Sequence, residues 1–472
     1  MMRKIFFISL LLLIANSVVT AQEGYQIELQ VDGMADTTIL LGYFYGESTY
    51  VKDTAHLDKQ GRAIFSGAEK LSEGIYFPVV GKTRLFDFPV GKDQQFKLST
   101  KSPDYVANMK VEGDLENKIF FEDLKYNMAM NSQAQPYINA LQDSLSSPTA
   151  KAGARDALGA LDKKVKAHQQ EIIDKYPGTI LAKIHRANQR PDIPEAPEGK
   201  SQQDFAYKYY KQHYWDNFEL DDPVLLHLSR PIYKEKFNEY LDKLVVQNPD
   251  SVIKEVDHLI SKAKANEETY KYVVWSAVIK YQYPQIMGLD EVYVHLFDKY
   301  FASGEMDYWA NEQLIDNLKN RADQLRNSLI GKNAPNLIML DQDLKKQSLY
   351  DIPNEYTVIY FFDPDCGHCK KETPRLLQFY KETDYDVEVF AVSADTSMVK
   401  MKNYIDEMQM PWITVNGPRT YTLPYPQLYD ASTTPTIYVL DRKKKIIAKK
   451  LPAERLEEFL TRYEALEKTN NP

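Results

Sequence analysis

Residues 357–362, Thr-Val-Ile-Tyr-Phe-Phe, form an apolar and aromatic run that ends at Asp363-Pro364-Asp365, and a helical pattern opens at Cys366-Gly367-His368-Cys369. A buried-strand run, a turn with proline and a helix starting on two cysteines three positions apart admit few folds. The chain holds no other cysteine in its 472 residues. No partner exists for a separate structural bridge, so any disulfide within one chain joins Cys366 to Cys369. Four-thiolate zinc binding is excluded by count, and a finger of two cysteines and two histidines lacks its spaced histidine pair. The pair is a redox-active dithiol or a local staple.

The first residues bear on where such a pair works. Met1-Met2-Arg3-Lys4 is a basic start, Ile5 to Val19 is almost unbroken apolar sequence, and Val19-Thr20-Ala21 places small residues at a cleavage point. The run is short for a membrane span and reads as a cleaved secretory signal, with cleavage after Ala21 and an exported, periplasmic product. An uncleaved N-terminal anchor is the alternative. No cysteine follows the apolar run, which disfavours a lipid anchor, and no later stretch is apolar for long enough to span a bilayer. The net charge of −9 is spread along the chain without a basic arm, which argues against nucleic acid as a partner. The short run Arg442-Lys443-Lys444-Lys445 is expected as a solvated hairpin turn.

Three textures succeed one another and predict a multidomain chain. After the signal (1–21), residues 22–113 carry short β-branched and aromatic runs at 25–31, 38–45, 74–80, 84–90 and 95–99. Gly, Asp and Lys turns separate them, which suggests an antiparallel β-sandwich-like domain. Residues 114–330 switch to helical periodicity, with segments near 119–130, 152–176, 231–246, 251–265, 268–281 and 307–328, and predict an all-α domain without a fixed-period repeat. From Gly331 to the end at 472, strands and helices alternate: strands at 357–362 and 387–393, helices at 369–383 and 397–408, a hairpin at 437–441 and 446–449, and a last helix at 453–466. That order predicts an α/β thioredoxin fold.

Each part of the Cys366–Cys369 placement has a chemical consequence. The thiolate attacks a disulfide, and unpaired N–H groups with the positive end of a helix dipole stabilise it. Cys366 is therefore expected as the exposed nucleophile and Cys369, one turn in, as the resolving thiol. Gly367 is expected to relax the tight turn. His368, a polar and sometimes cationic neighbour, favours the thiolate form and leans the pair toward oxidation or isomerisation. The reference potentials for the two directions differ by about 90 mV, roughly 4 kcal/mol for two electrons. Pro374 is expected to kink the helix. Thr433-Thr434-Pro435-Thr436 precedes a strand, and a cis peptide before Pro435 would set the Thr434 backbone beside the sulfurs, ready to pair with a substrate strand.

In these motifs, in their order and spacing, the segment from about Gly331 to Tyr463 resembles the thioredoxin superfamily. The lead-in Gly331-x-x-Ala334-Pro335 is similar to its TlpA/ResA-like branch, and the dithiol tetrad is the one found in protein disulfide isomerase. The helical module resembles an uncharacterised partner domain of such proteins through residues His213 to Phe218, and the β module resembles another; neither brings a mechanism. The resemblance implies exchange of disulfides with exported protein thiols, an upstream redox partner, no metal, and no cofactor beyond the Cys366–Cys369 disulfide itself. The sequence also departs from the family. Tyr360 stands where a buried acid usually serves as proton shuttle, and Asp365 where an aromatic residue is usual. Asp363 and Asp365 add negative charge that would raise a thiol pKa. Either acid is a candidate replacement shuttle, and Asp365 is otherwise a helix cap.

Two other readings stay open. One is a binding or scaffold protein in which the N-terminal two-thirds carries the function. The other is a thiol peroxidase, whose Pro-x-x-x-Thr-x-x-Cys motif would need proline at Ile359 and threonine at Asp363. His213, Trp215 and Asp216 could suggest a ligand site, but Phe205, Tyr209, Trp215 and Phe218 at helical spacing read as core.

Overall fold

The computed structural model describes residues 24–470, so the expected signal segment lies outside the described residues. The chain packs as two units that divide between Phe237 and Asn238, and the helices expected at 114–330 are shared between them.

The first unit opens with nine strands: β1 (Tyr25–Asp32), β2 (Thr37–Tyr45), β3 (Ser48–Leu57), β4 (Arg62–Gly67), β5 (Gly74–Val80), β6 (Thr83–Arg84), β7 (Phe88–Val90), β8 (Gln95–Lys101) and β9 (Lys110–Glu112). One sheet runs β4-β1-β8-β9, and the other runs β3-β2-β5-β6 with β7 on β5. The expectation of a wholly antiparallel domain is corrected at one place: β1 and β8 pair in parallel. Alternation along β1 and β8 buries Ile27, Leu29, Phe96 and Leu98 on one face. Two 28-residue helices follow, α1 (Leu115–Gln142) and α2 (Pro148–Lys175), then α3 (Ile180–Asn188) and α4 (Gln202–Gln212). Asp114, Ser147, Thr179 and Ser201 cap them, each side chain accepting from N–H groups of the first turn. A further helix, α5 (Ile232–Glu239), meets the division between the units.

The second unit carries α6 (Pro249–Ala263), α7 (Glu267–Gln282), α8 (Asp290–Leu296) and α9 (Glu312–Arg326), then the α/β domain. That domain comprises β10 (Ile338–Asp341), β11 (Lys346–Ser348), β12 (Tyr356–Phe362), α10 (Gly367–Glu382), β13 (Val387–Ser393), α11 (Met398–Met408), β14 (Ile413–Thr420), α12 (Tyr425–Leu428), β15 (Thr436–Leu440), β16 (Ile446–Lys449) and α13 (Leu456–Asn470). Its sheet runs β11-β10-β14-β13-β12-β15-β16, with β12, β13 and β14 parallel and β15 antiparallel to β12. This is the expected thioredoxin-like arrangement, widened by β14, β10 and β11. The central strand β12 is buried at every residue, and its two faces feed two cores. A strand covered on both faces must be apolar throughout, which is why 357–362 reads as one continuous run.

Two local expectations are corrected. The turn at 442–445 is not wholly solvated: Lys444 adopts a φ of 61° and is buried, its ammonium donating to the Ile352 carbonyl and to Thr357 Oγ1, each at 2.8 Å. Gly367 has no positive φ, and a Cβ there would meet nothing within 4 Å, so the turn does not depend on glycine.

Candidate active site

Strand β12 ends at Phe362, and the chain turns through Asp363-Pro364-Asp365 into α10. Ligand sites in such sheets form at the carboxyl ends of strands where neighbouring connections diverge, and β12 is flanked by β13 on one side and β15 on the other. The register pairs Phe361 with Thr436, which sets residues 433–435 level with the end of β12. The Thr434–Pro435 peptide is cis. The structure thus brings together Cys366, Cys369, Thr434 and Pro435 from two distant parts of the sequence.

Cys366 is itself the N-cap of α10. Its Sγ accepts the Cys369 N–H at 3.3 Å and lies 3.4 Å from the Thr434 carbonyl oxygen. It is half-buried, Cys369 is fully buried, and both thiols are free. Burial pushes the Cys366 thiol up, but hydrogen bonds from the Cys369 thiol and N–H, from Thr434 and from the His368 N–H outweigh it and hold the thiol below its ordinary value. Burial pushes the Cys369 thiol up to about 12.

The acids are placed differently from expectation. Asp365 does not cap the helix, because Cys366 occupies that position. Asp365 instead forms an ion pair with Lys400 at 2.6 Å, and Lys400 also reaches Asp395 at 3.1 Å. The Asp363 carboxylate accepts the Asp365 N–H at 2.8 Å, and its carbonyl accepts the Cys366 N–H. His368 is exposed, and α10 continues through Pro374.

Behind the sulfurs lies a polar cluster that sequence reasoning did not assemble. Tyr360, at the position of the usual buried acid, has its hydroxyl 2.8 Å from Thr373 Oγ1, and Tyr404 on α11 has its hydroxyl 2.8 Å from the same oxygen. Thr373 donates to the Cys369 carbonyl at 2.9 Å. Glu372 is also buried and accepts the Ala453 N–H at 2.5 Å. Helical spacing carried the one available signal: positions 372 and 373 lie three and four residues after Cys369 and share its face. The contribution of Tyr404, thirty-five residues further on, is tertiary.

Elsewhere, the His213 Nδ1 and Asp216 Oδ2 atoms lie 2.6 Å apart within one turn, and the histidine ring rests 4.2 Å from that of Tyr209. Phe218 is buried, its ring edge-on to Trp215 and Tyr233. Among the described residues, no helix is long and apolar enough to cross a membrane.

Residues 330–449 match the AhpC/TSA family, and residues 132–322 match a domain of unknown function, DUF5106. Thiol-disulfide oxidoreductase ResA of Bacillus cereus is 27% identical over 135 residues, which are 28% of this chain and 76% of that protein. ResA of Bacillus thuringiensis is 29% identical over 138 residues, again 28% of this chain and 76% of the relative. The crystal structure of a thioredoxin-like protein from Bacteroides caccae aligns with a TM-score of 0.47 at 20% identity, covering 58% of this chain and 98% of that one.

Proposed function

We propose, from the premise that the C-terminal domain is thioredoxin-like, of AhpC/TSA type and homologous to ResA thiol-disulfide oxidoreductases, that the chain exchanges disulfides with exported protein substrates. The observation that carries this reading is the Cys366 sulfur, which caps α10, stays partly accessible, and sits beside the Thr434–Pro435 loop with its thiol below the ordinary value. Cys366 attacks a client disulfide and forms a mixed disulfide. The first client sulfur leaves as a thiolate at that step. Cys369 then attacks Cys366, the Cys366–Cys369 bond forms, and the second client sulfur leaves, so the client departs as a dithiol. The reverse sequence oxidises a client dithiol. An extended client segment pairs with the backbone of Thr434, which lies beside Cys366. Reducing equivalents arrive through an upstream thiol partner, without a metal or organic cofactor. A peroxidase reading finds no support in the residues: Ile359 is a buried strand residue and Asp363 carries no hydroxyl.

Replacing Cys366 by Ser should abolish reduction of insulin disulfides, and replacing Cys369 by Ser should trap mixed disulfides with client proteins. Full turnover by the Cys366→Ser protein would overturn the assignment.

A further inference from the structure

We infer that a cleft in the first unit binds a small apolar molecule with a protonated amine head, and that His185 and Asp123 receive that head. The cleft shares no residue with the dithiol site and can be tested apart from it.

The β6–β7 connection, the loop at 103–107 between β8 and β9, and the helices α1 and α3 enclose a space of about 710 Å³. Leu85, Phe86, Phe120, Leu181 and Ile184 make its walls apolar. Ala107, Met128 and Ser229 are exposed and mark its mouth. Apolar walls around a space of this size, with a few convergent polar groups, are the form that small-molecule sites take.

Two of those polar groups come from the helices. Asp123 on α1 is 3% exposed, and His185 on α3 is 8% exposed. The Asp123 carboxylate is already engaged: its Oδ1 lies 3.1 Å from His168 Nε2, and its Oδ2 accepts the Asn127 side-chain N–H at 2.9 Å. His185 Nε2 lies 3.4 Å from the same Oδ1, yet it is buried without a hydrogen bond. Buried polar atoms are nearly always satisfied, so such a nitrogen on the wall of a cleft points to a ligand as its partner. A metal ion does not suit the cluster. The ligand atoms of His168, Asp123 and His185 do not all lie within 4.8 Å of one another.

The charges around the cleft select the head. Among the described residues that line it, Arg84 is the one cation, against the carboxylates of Asp87, Asp104 and Asp123. Arg84 is committed elsewhere: its Nε donates to Asp87 at 2.6 Å, and its guanidinium lies over the Phe44 and Phe77 rings at 4.7 and 4.8 Å. An anionic head would meet a surplus of negative charge with little water to screen it. A protonated amine has hydrogens only to donate. His185 Nε2 accepts one when the ring proton sits on Nδ1, and the Asp123 carboxylate beside it supplies the opposite charge. The apolar walls take the body of the molecule.

The test uses the full chain and dansylcadaverine, a fluorescent naphthalene sulfonamide with a primary amine on a pentyl arm. Its emission should rise and move to the blue on saturable binding. Octylamine should displace it and octanoate should not, while octanol should compete at least about tenfold more weakly than octylamine, the worth of one charge-assisted hydrogen bond. His185→Leu removes the acceptor, keeps the bulk, and should weaken probe binding about tenfold. Ala107→Trp sets a large side chain in the exposed mouth; it should exclude the probe and leave the melting temperature within about 2 °C. A wild-type protein without saturable binding would overturn the inference, as would octanoate competing as well as octylamine, or full probe affinity in the Ala107→Trp protein. A His185→Leu protein that melts like the wild type and keeps its full affinity would overturn the assignment of the head.

Discussion

Two thiols three residues apart on one helix acquire opposite acidities because one caps the helix and the other lies inside it. Cys366 receives N–H groups at its sulfur, whereas Cys369 is enclosed by Tyr360, Phe362, Tyr404 and their neighbours in the core. Iodoacetamide should therefore modify Cys366 with a midpoint below that of an ordinary thiol and leave Cys369 unmodified up to about pH 10, measured by mass spectrometry of the reduced protein. Modification of both sulfurs at equal rates would contradict the assigned burial. The negative charge of Asp363 and Asp365 was expected to oppose this. Asp365 is paired with Lys400, which offsets its charge. The dithiol was legible in the sequence because cysteine is so scarce here and its context so restrictive. The cap was not, because a cysteine sulfur is a poor acceptor by type and accepts here only by position. Lys444 was illegible for a related reason: composition marks lysine as exposed, and its burial follows from two acceptors, Ile352 and Thr357, supplied by distant chain.

At the scale of elements, the strands read best where burial imposes a pattern. Gly74–Val80, Val387–Ser393 and Ile446–Lys449 fall where the sequence predicts them, each dominated by buried apolar residues. Strand β3 was missed because it is an edge strand, exposed along most of its length, so no alternation marks it. Strand β14 was missed because Asn416, Gly417 and Pro418 interrupt its apolar residues. One joint between elements has a pH consequence. Glu116, in the first turn of α1, accepts the Ile180 N–H at the start of α3. Burial pushes its carboxyl up to about 7, against the partial relief of that hydrogen bond. The folded state therefore holds a proton that the unfolded state releases near pH 4.5. Stability is highest below that value and declines as pH rises to about 7, by at most about 3 kcal/mol. Melting curves of the full chain at pH 5 and 8 should show this decline, and Glu116→Gln should flatten it. An equal decline in the variant would remove Glu116 as the cause.

At the scale of the whole molecule, the second unit is held together by charge as well as apolar packing. Arg321 on α9 is buried and grips Asp430 through two bonds of 2.5 and 3.1 Å, and Lys450 reaches the same carboxylate at 2.5 Å. Lys449 at the end of β16 pairs with Asp290 on α8 and donates to the Ser328 carbonyl at 2.9 Å. The α/β domain is therefore tied to the helices that precede it: Asp430 and Lys449 pair with Arg321 on α9 and Asp290 on α8, and Lys450 adds to the charge around Asp430. Asp430 also lies four residues before Thr434, so these helices anchor the base of the loop proposed to bind clients. Removing one member of a buried pair strands the other charge, whereas removing both leaves an apolar contact. Arg321→Leu should thus destabilise the unit by about 3 kcal/mol, moderated by Lys450, and shift its denaturant midpoint accordingly. The double variant Arg321→Leu with Asp430→Leu should regain much of that loss. Insulin reduction measured alongside tests the anchor: the single variant should lose turnover through a raised KM, because the loop at 433–435 loses its base while the dithiol is untouched. A single variant as stable as wild type, or a double variant whose loss equals the sum of the separate losses, would show that the ion pair does not couple the helices to the sheet.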